Sequence, residues 1–181
     1  SRGNLQAAAK LIKASSKTLI IAGGGVHYSE ACEALAKLAH QTGIPVAVTQ
    51  AGKGALLDDD SECLGAVGVT GTSAANEIAA SADLILVIGT RLTDFTTASK
   101  TQFQNESVRF VSININACDA HKHGALPLVG DARAILKELS EALNGYCITD
   151  NFRNHIATAK AGWENTYKKI VMPRRKGGNL F

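Results

Sequence analysis

Two short runs, Thr18-Leu-Ile-Ile-Ala22 and Leu84-Ile-Leu-Val-Ile88, restrict what this chain can become more than any other feature. Neither alternates apolar with polar residues, so neither has a face suited to water. A strand that is apolar on both faces is stable only when both are covered, as in the parallel sheets of α/β proteins. The flanking segments supply the covers. Leu5, Ala8, Ala9 and Ile12 recur at helical spacing before the first run. After Gly23-Gly24-Gly25, Ser29 reads as the N-cap of a second helix with Ala31, Ala34, Leu35 and Leu38 on one face. Gly43 reads as its stop, and Pro45 opens a strand at Val46-Ala-Val-Thr49. A Gly-rich stretch over 52–71 contains a short strand at Cys63–Ala66, followed by a helix over Thr72–Ala82. Strands are predicted at Val108–Ile115 and Leu126–Val129, with a helix through Ala132, Ile135, Leu136, Leu139 and Leu143. A last helix, about residues 151–171, carries Ile156, Ala159, Trp163, Tyr167 and Ile170 as a packing stripe. Strands alternating with helices make right-handed βαβ units. The expected fold is α/β: a doubly wound, Rossmann-like parallel sheet of about six strands with helices on both faces.

At 181 residues and 45% hydrophobic content, the chain suits one domain with a sizeable core. Its net charge of +3 hides an asymmetry. Lys168, Lys169, Arg174, Arg175 and Lys176 cluster at the end without an acid, which leaves the body mildly acidic. No broad basic face exists to follow phosphates, and aromatics are only 5%, so nucleic-acid binding is not expected. No apolar run approaches the roughly 18 residues of a membrane span. Cys32, Cys63, Cys118 and Cys147 form no CxxC pair and read as reduced thiols of a cytoplasmic protein. The first residue is Ser1 and the only Met is Met172, so a piece of a longer chain is expected.

Ligands of such sheets sit beyond the carboxyl ends of the strands. Those ends fall at Gly23-Gly24-Gly25, Gln50–Gly54, Gly89-Thr90-Arg91, Asn114–Asn116 and Gly130-Asp131, which suggests a nucleotide-sized crevice. The dinucleotide fingerprint GxGxxG is not completed, because its third glycine falls on Tyr28 and no acid closes the second strand. The P-loop pattern also fails, with Ala47 where a glycine is needed. Cys118, Asp119, His121 and His123 are close in sequence, but their spacing reads as a solvated loop and no metal site is expected. Asp58-Asp59-Asp60 reads as turn acids, and His27, His40 and His155 stand without a neighbouring partner. Arg91 either recognises a phosphate or carboxylate or pairs with Asp94; the sequence leaves both open. There is no GxSxG, HExxH or paired-carboxylate arrangement, so no catalytic residue is assigned.

An ordered set of segments carries a resemblance. GGGV at 23–26, TQAGKGALLDD at 49–59, GVTGTSAAN at 68–76, DLILVIGTRLTDF at 83–95, SININ at 112–116 and VGDARAIL at 129–136 are similar to the central domain of thiamine diphosphate-dependent enzymes. The acetohydroxyacid synthase group shares this order. GGGVHYSEA and GTRLTDFTTASKTQFQ most resemble the family of trihydroxycyclohexanedione hydrolases of inositol breakdown. The resemblance implies a non-catalytic central domain over 1–172, then a basic linker over 173–181 toward an absent cofactor-binding domain. It implies thiamine diphosphate and Mg²⁺ in the parent enzyme, not held by this chain, and it implies homo-oligomers. Some relatives hold FAD or ADP in this domain. The matching positions here are Gly23, Gly24, Gly25, Gly52, Lys53, Gly54, Gly71, Thr72, Arg91, Gly130 and Asp131, with Asn114 and Asn116 where those relatives carry acids. Three other readings stand beside it: the central domain of another 2-keto-compound-cleaving or acetohydroxyacid synthase-like enzyme, a free-standing FAD- or ADP-binding module, and an oligomerisation piece.

Overall fold

The structure is a computed structural model that describes residues 2–171; Met172 and the expected linker 173–181 lie outside the described residues. Along the chain run α1 (Arg2–Ala14), β1 (Thr18–Ala22), α2 (Gly25–Tyr28), α3 (Cys32–Thr42), β2 (Val46–Val48) and β3 (Cys63–Ala66). They are followed by α4 (Ser73–Ser81), β4 (Leu84–Ile88), α5 (Asp94–Thr97), β5 (Arg109–Asn114) and α6 (Ala117–Ala120). The last three elements are β6 (Leu126–Val129), α7 (Ala132–Ala142) and α8 (Asp150–Val171). All six strands join one sheet in the order β3-β2-β1-β4-β5-β6, and every pairing is parallel.

The two apolar runs lie side by side at the centre, with Thr18 opposite Leu84 and Ala22 opposite Ile88. Every residue of both is buried, as strands covered on two faces require. The chain winds outward from β1 through β2 to β3, then crosses to β4 and winds the other way. Right-handed crossovers therefore put α3 and α4 on opposite faces. Helix α7 packs on α3 and against α1, while α8 packs on α4. Both faces of the sheet are thus closed, and one continuous core runs through the molecule.

Two details differ from the sequence reading. Ser29 does not cap the second helix. The glycine triplet leads straight into the single turn α2, where the Ser29 amide closes on the Gly25 carbonyl at 3.0 Å. Helix α3 begins only after Ala31, which supplies no side-chain cap. Gly24 already has helical angles, φ −59° and ψ −26°, and a methyl there would crowd Ala51, so the turn starts earlier than a cap residue alone would signal. The stripe on α8 is the second difference. Phe152, Ile156 and Ala159 are buried and Trp163 is half-buried, but Tyr167 and Ile170 are exposed, Ile170 at 68%. The last turns of α8 therefore project an apolar edge beyond the packing on α4 that covers its start.

Leu86 sits mid-strand in β4 with no exposed surface. Leu86→Ala should cost about 2–5 kcal/mol through lost burial and the cavity left behind. Urea unfolding checks this as a lower midpoint at an unchanged slope.

Candidate functional site

The order β3-β2-β1-β4-β5-β6 reverses direction between β1 and β4, and the loops after these two strands diverge there. A cleft of about 700 Å³ opens at that point. Gly24, Gly25, Gly89 and Thr90 lie along it at the ends of β1 and β4. Thr49, Gln50 and Thr70 line it from the loops after β2 and β3, and Asn114, Ile115, Gly130 and Asp131 from those after β5 and β6. Phe95 and Tyr28 add exposed aromatic surface at the cleft, Tyr28 being 93% exposed.

The glycines at this point are required by chain-on-chain contact. A methyl on Gly23 would come within 2.5 Å of the Gly89 carbonyl oxygen, and one on Gly25 within 2.6 Å of the Gly89 Cα. Gly89 itself has φ +60°, a left-handed conformation natural to glycine. The backbones are also bonded to each other: the Gly23 amide donates to the Ile88 carbonyl at 2.8 Å, and the Gly25 amide to the Gly89 carbonyl at 2.9 Å. Two amides of the triplet are therefore committed to the sheet end. Gly52 is as tight, since a methyl there would lie 2.1 Å from the Ala22 carbonyl oxygen.

Of the positions expected to contact a nucleotide, Gly24, Gly25, Arg91, Asn114, Gly130 and Asp131 converge on the cleft. Gly23 and Gly52 lie beneath it as packing contacts. Lys53 faces elsewhere. Its ammonium pairs with Asp58 at 2.8 Å, a hydrogen bond and charge that hold its pKa above the ordinary lysine value. Lys53 and Thr72 instead line a second cavity, of about 730 Å³, between β3 and the Lys160–Tyr167 part of α8. Gly54 lies in the loop after β2 with its Cα side toward the His27 ring. Gly71 is wedged between the Ala66 carbonyl and the Asn76 side chain, which leaves no space for a methyl.

Thr72 caps α4: its hydroxyl accepts from the Ala75 amide at 3.0 Å and donates to the Leu64 carbonyl at 2.6 Å. Asn116 caps α6 by accepting from the Cys118 and Asp119 amides. Asn114 accepts from the Asn116 amide at 2.9 Å and donates to the Thr90 carbonyl at 3.3 Å. Asp131 caps α7 through the Ala134 amide at 2.9 Å. That bond, with a lesser one from Ser29, holds its carboxyl below the ordinary aspartate pKa.

Arg91 makes no ion pair with Asp94 among the described residues, so its guanidinium stays available to the cleft. Thr49, Thr70, Thr93 and Thr96, which were not among the expected positions, also line it, as does Gln50. The signal was present as threonines beside the glycines in TQAGKG, GVTGT and GTRLTDF.

The His and acid residues sort differently from their sequence spacing. Asp119 pairs with Lys122 at 2.7 Å, and His121 closes on its own turn, its Nδ1 2.7 Å from the Ala117 carbonyl. His123 packs near Phe110, and burial together with Lys100 and Lys122 holds its pKa below the usual histidine value. Among the described residues, the donor atoms that come together are instead those of His40, Asp60 and Glu62. His40 and Asp60 are paired at 2.8 Å, which ties α3 to the turn before β3. Lys160 reaches the same turn, donating to the carbonyls of Asp60 and Ser61. His155 pairs with Glu77 at 3.0 Å, fastening α8 to α4.

The chain matches the family model described as thiamine pyrophosphate enzyme, central domain, over residues 5–139. It is 44% identical over 170 residues to a protein of Clostridium tetani (strain Massachusetts / E88) named 3D-(3,5/4)-trihydroxycyclohexane-1,2-dione hydrolase, covering 94% of this chain and 26% of that one. It is 45% identical over 170 residues to 3D-(3,5/4)-trihydroxycyclohexane-1,2-dione hydrolase 2 of Bacillus cereus (strain ZK / E33L), with the same coverage. A namesake from Clostridium botulinum (strain Alaska E43 / Type E3) is 43% identical over 161 residues, or 89% of this chain and 25% of that one. The chain spans about a quarter of the length of these relatives.

Gly52→Ala should destabilise the protein by about 1–3 kcal/mol, because the methyl meets backbone that cannot step aside. Thermal unfolding checks this, and a variant as stable as wild type would show that the loop gives way. Asp131→Ala should cost about 1 kcal/mol near neutral pH, the usual worth of such a cap. The folded-state pKa of Asp131 is depressed, so its contribution is complete above the ordinary carboxylate range and is lost as pH falls through the depressed value. The gap between the two proteins in urea midpoint should therefore close on acidification.

Proposed function

The chain belongs to the thiamine pyrophosphate enzyme central-domain family, and from that premise we propose that it is the middle domain of a hydrolase that opens the ring of a trihydroxycyclohexane-1,2-dione. The observation that carries this reading is the 43–45% identity, across nearly the whole chain, to relatives named for that reaction. Among the described residues, the loop after β6 does not form a site for thiamine diphosphate or Mg²⁺. The Asp131 carboxylate, which follows the glycine at the end of β6, is committed to the α7 cap. The cofactor and metal belong to other domains of the parent protein, as does the substrate, and no reaction step falls to this chain.

Its role is that of a rigid spacer. The closed core supports this, as does the exposed apolar edge of α8 at Tyr167, Ile170 and Val171, which suits packing against a neighbouring domain or a second copy in a homo-oligomer. Residues 173–181 would lead on toward the cofactor-binding domain. No described helix is long and apolar enough to cross a membrane.

One observation favours a second role for the cleft. A crevice at the switch point that mixes threonines and Asn114 with apolar surface, with Arg91 unpaired among the described residues, suits an anionic nucleotide such as ADP or the ADP portion of FAD. Arg91 would meet a phosphate, and Asn114 and the cleft threonines a ribose. Against full recognition, the Gly23 and Gly25 amides are already bonded within the sheet end.

The test uses the full-length protein supplied with thiamine diphosphate and Mg²⁺. Ring opening of the dione, read as release of an acid, is expected. Condensation of 2-keto acids with the dione left intact would overturn the assignment. In the same protein ADP should raise the melting temperature, and Arg91→Ala should abolish the rise while leaving ring opening in place. No shift with ADP would leave the cleft without this ligand.

A further inference from the structure

Helix α2 and the start of α3 bring together three groups with no part in the proposed function. The Sγ of Cys32 lies 3.7 Å from Nδ1 of His27. The other ring nitrogen, Nε2, lies 3.1 Å from the carbonyl oxygen of Lys53. A carbonyl only accepts, so Nε2 carries the proton in this contact. In the neutral ring, Nδ1 then presents its lone pair to the thiol. A nucleophile beside a base that is itself oriented by a third group is the arrangement that activates cysteines.

The surroundings reinforce it. Cys32 is the first residue of the 11-residue helix α3, whose N-cap, Ala31, offers no side-chain acceptor to the free amides. Cys32 is only partly buried and His27 is exposed, so a small reagent can reach the sulfur. The remaining cysteines make no hydrogen bond to a histidine among the described residues. Cys63 is buried, and burial holds its thiol pKa above the ordinary value; Cys118 and Cys147 are exposed.

We propose that Cys32 is an activated thiol, served by His27 as base, that takes up low-molecular-weight disulfides as a modification site. The Cys32 proton passes to Nδ1 of His27. The thiolate attacks one sulfur of the reagent, its S–S bond breaks, and the other sulfur leaves as a thiolate. The product is a mixed disulfide on Cys32, and the reagent itself is the oxidant. The adduct would sit at the α2–α3 corner, whose residues Tyr28 and Ser29 line the cleft.

The experiment treats the full chain with 5,5′-dithiobis(2-nitrobenzoic acid), follows release of thionitrobenzoate, and assigns each adduct by peptide mass spectrometry. Cys32 should react at least about tenfold faster than Cys118 and Cys147 although both are more exposed. Cys32→Ser should remove the fast phase. His27→Ala should slow Cys32 to the rate of the other two, and added imidazole should restore part of the loss, which a merely structural role would not allow. His27→Gln keeps a donor for the Lys53 carbonyl without a base, and should be as slow as His27→Ala. Equal rates at Cys32 and Cys118 overturn the proposal, as does a fast Cys32 in either folded His27 variant.

Discussion

Everything in this molecule is arranged around a contact with no room for a methyl group. Where β1 and β4 end, Gly23 and Gly25 press against Gly89, and Gly52 presses against the Ala22 carbonyl. These contacts let the loops of both halves of the sheet start from nearly the same point before they diverge. The cleft is what remains between them. Any side chain at those positions would separate the strand ends and weaken the pairing between the two most apolar strands. Stability and cleft shape therefore have one origin, and glycines that the resemblance matched to nucleotide-contacting positions are needed by the protein's own backbone.

The polar residues around the cleft are similarly committed. Thr72, Asn116 and Asp131 each cap a helix, and Asn114 bridges two loops. Asn76 holds both the amide and the carbonyl of Gly68. These groups satisfy backbone that would otherwise be left unpaired at the loop ends. Arg91, with no ion pair among the described residues, is the clear departure. A scaffold that spends its polar groups on its own loops has few left for chemistry, in keeping with a domain that positions others.

The architecture was legible because its signal is local and redundant. Val46–Val48, Leu84–Ile88 and the helical stripes each declare their burial within a few residues, and the ordered motifs agreed with them. What could not be read was set by contacts between distant positions. His40 looked solitary because its partner, Asp60, is twenty residues on, and His155 meets Glu77 across the packing of α8 on α4. Lys53 lay among cleft-like motifs, yet Asp58 draws it toward the other cavity. The Ser29 cap failed for a local reason: glycine entered a helical turn before any cap was needed. The exposed end of α8 was invisible because periodicity reports which face is apolar, not how far the covering layer extends.

The pairing of β1 with β4 also sets an order of assembly. Thr18 finds its partner in Leu84, and the segment between them contains both other strands of that half. While the chain emerges from the ribosome, β1 can pair with β2 and β2 with β3, but the second edge of β1 stays open until Ile88 has been made. An apolar strand with an unpaired edge is a template for adhesion to other chains. The nascent half-sheet is therefore open to adhesion, and the arrival of β4 closes the β1 edge but hands the open edge on to β4 itself, until β5 pairs with it.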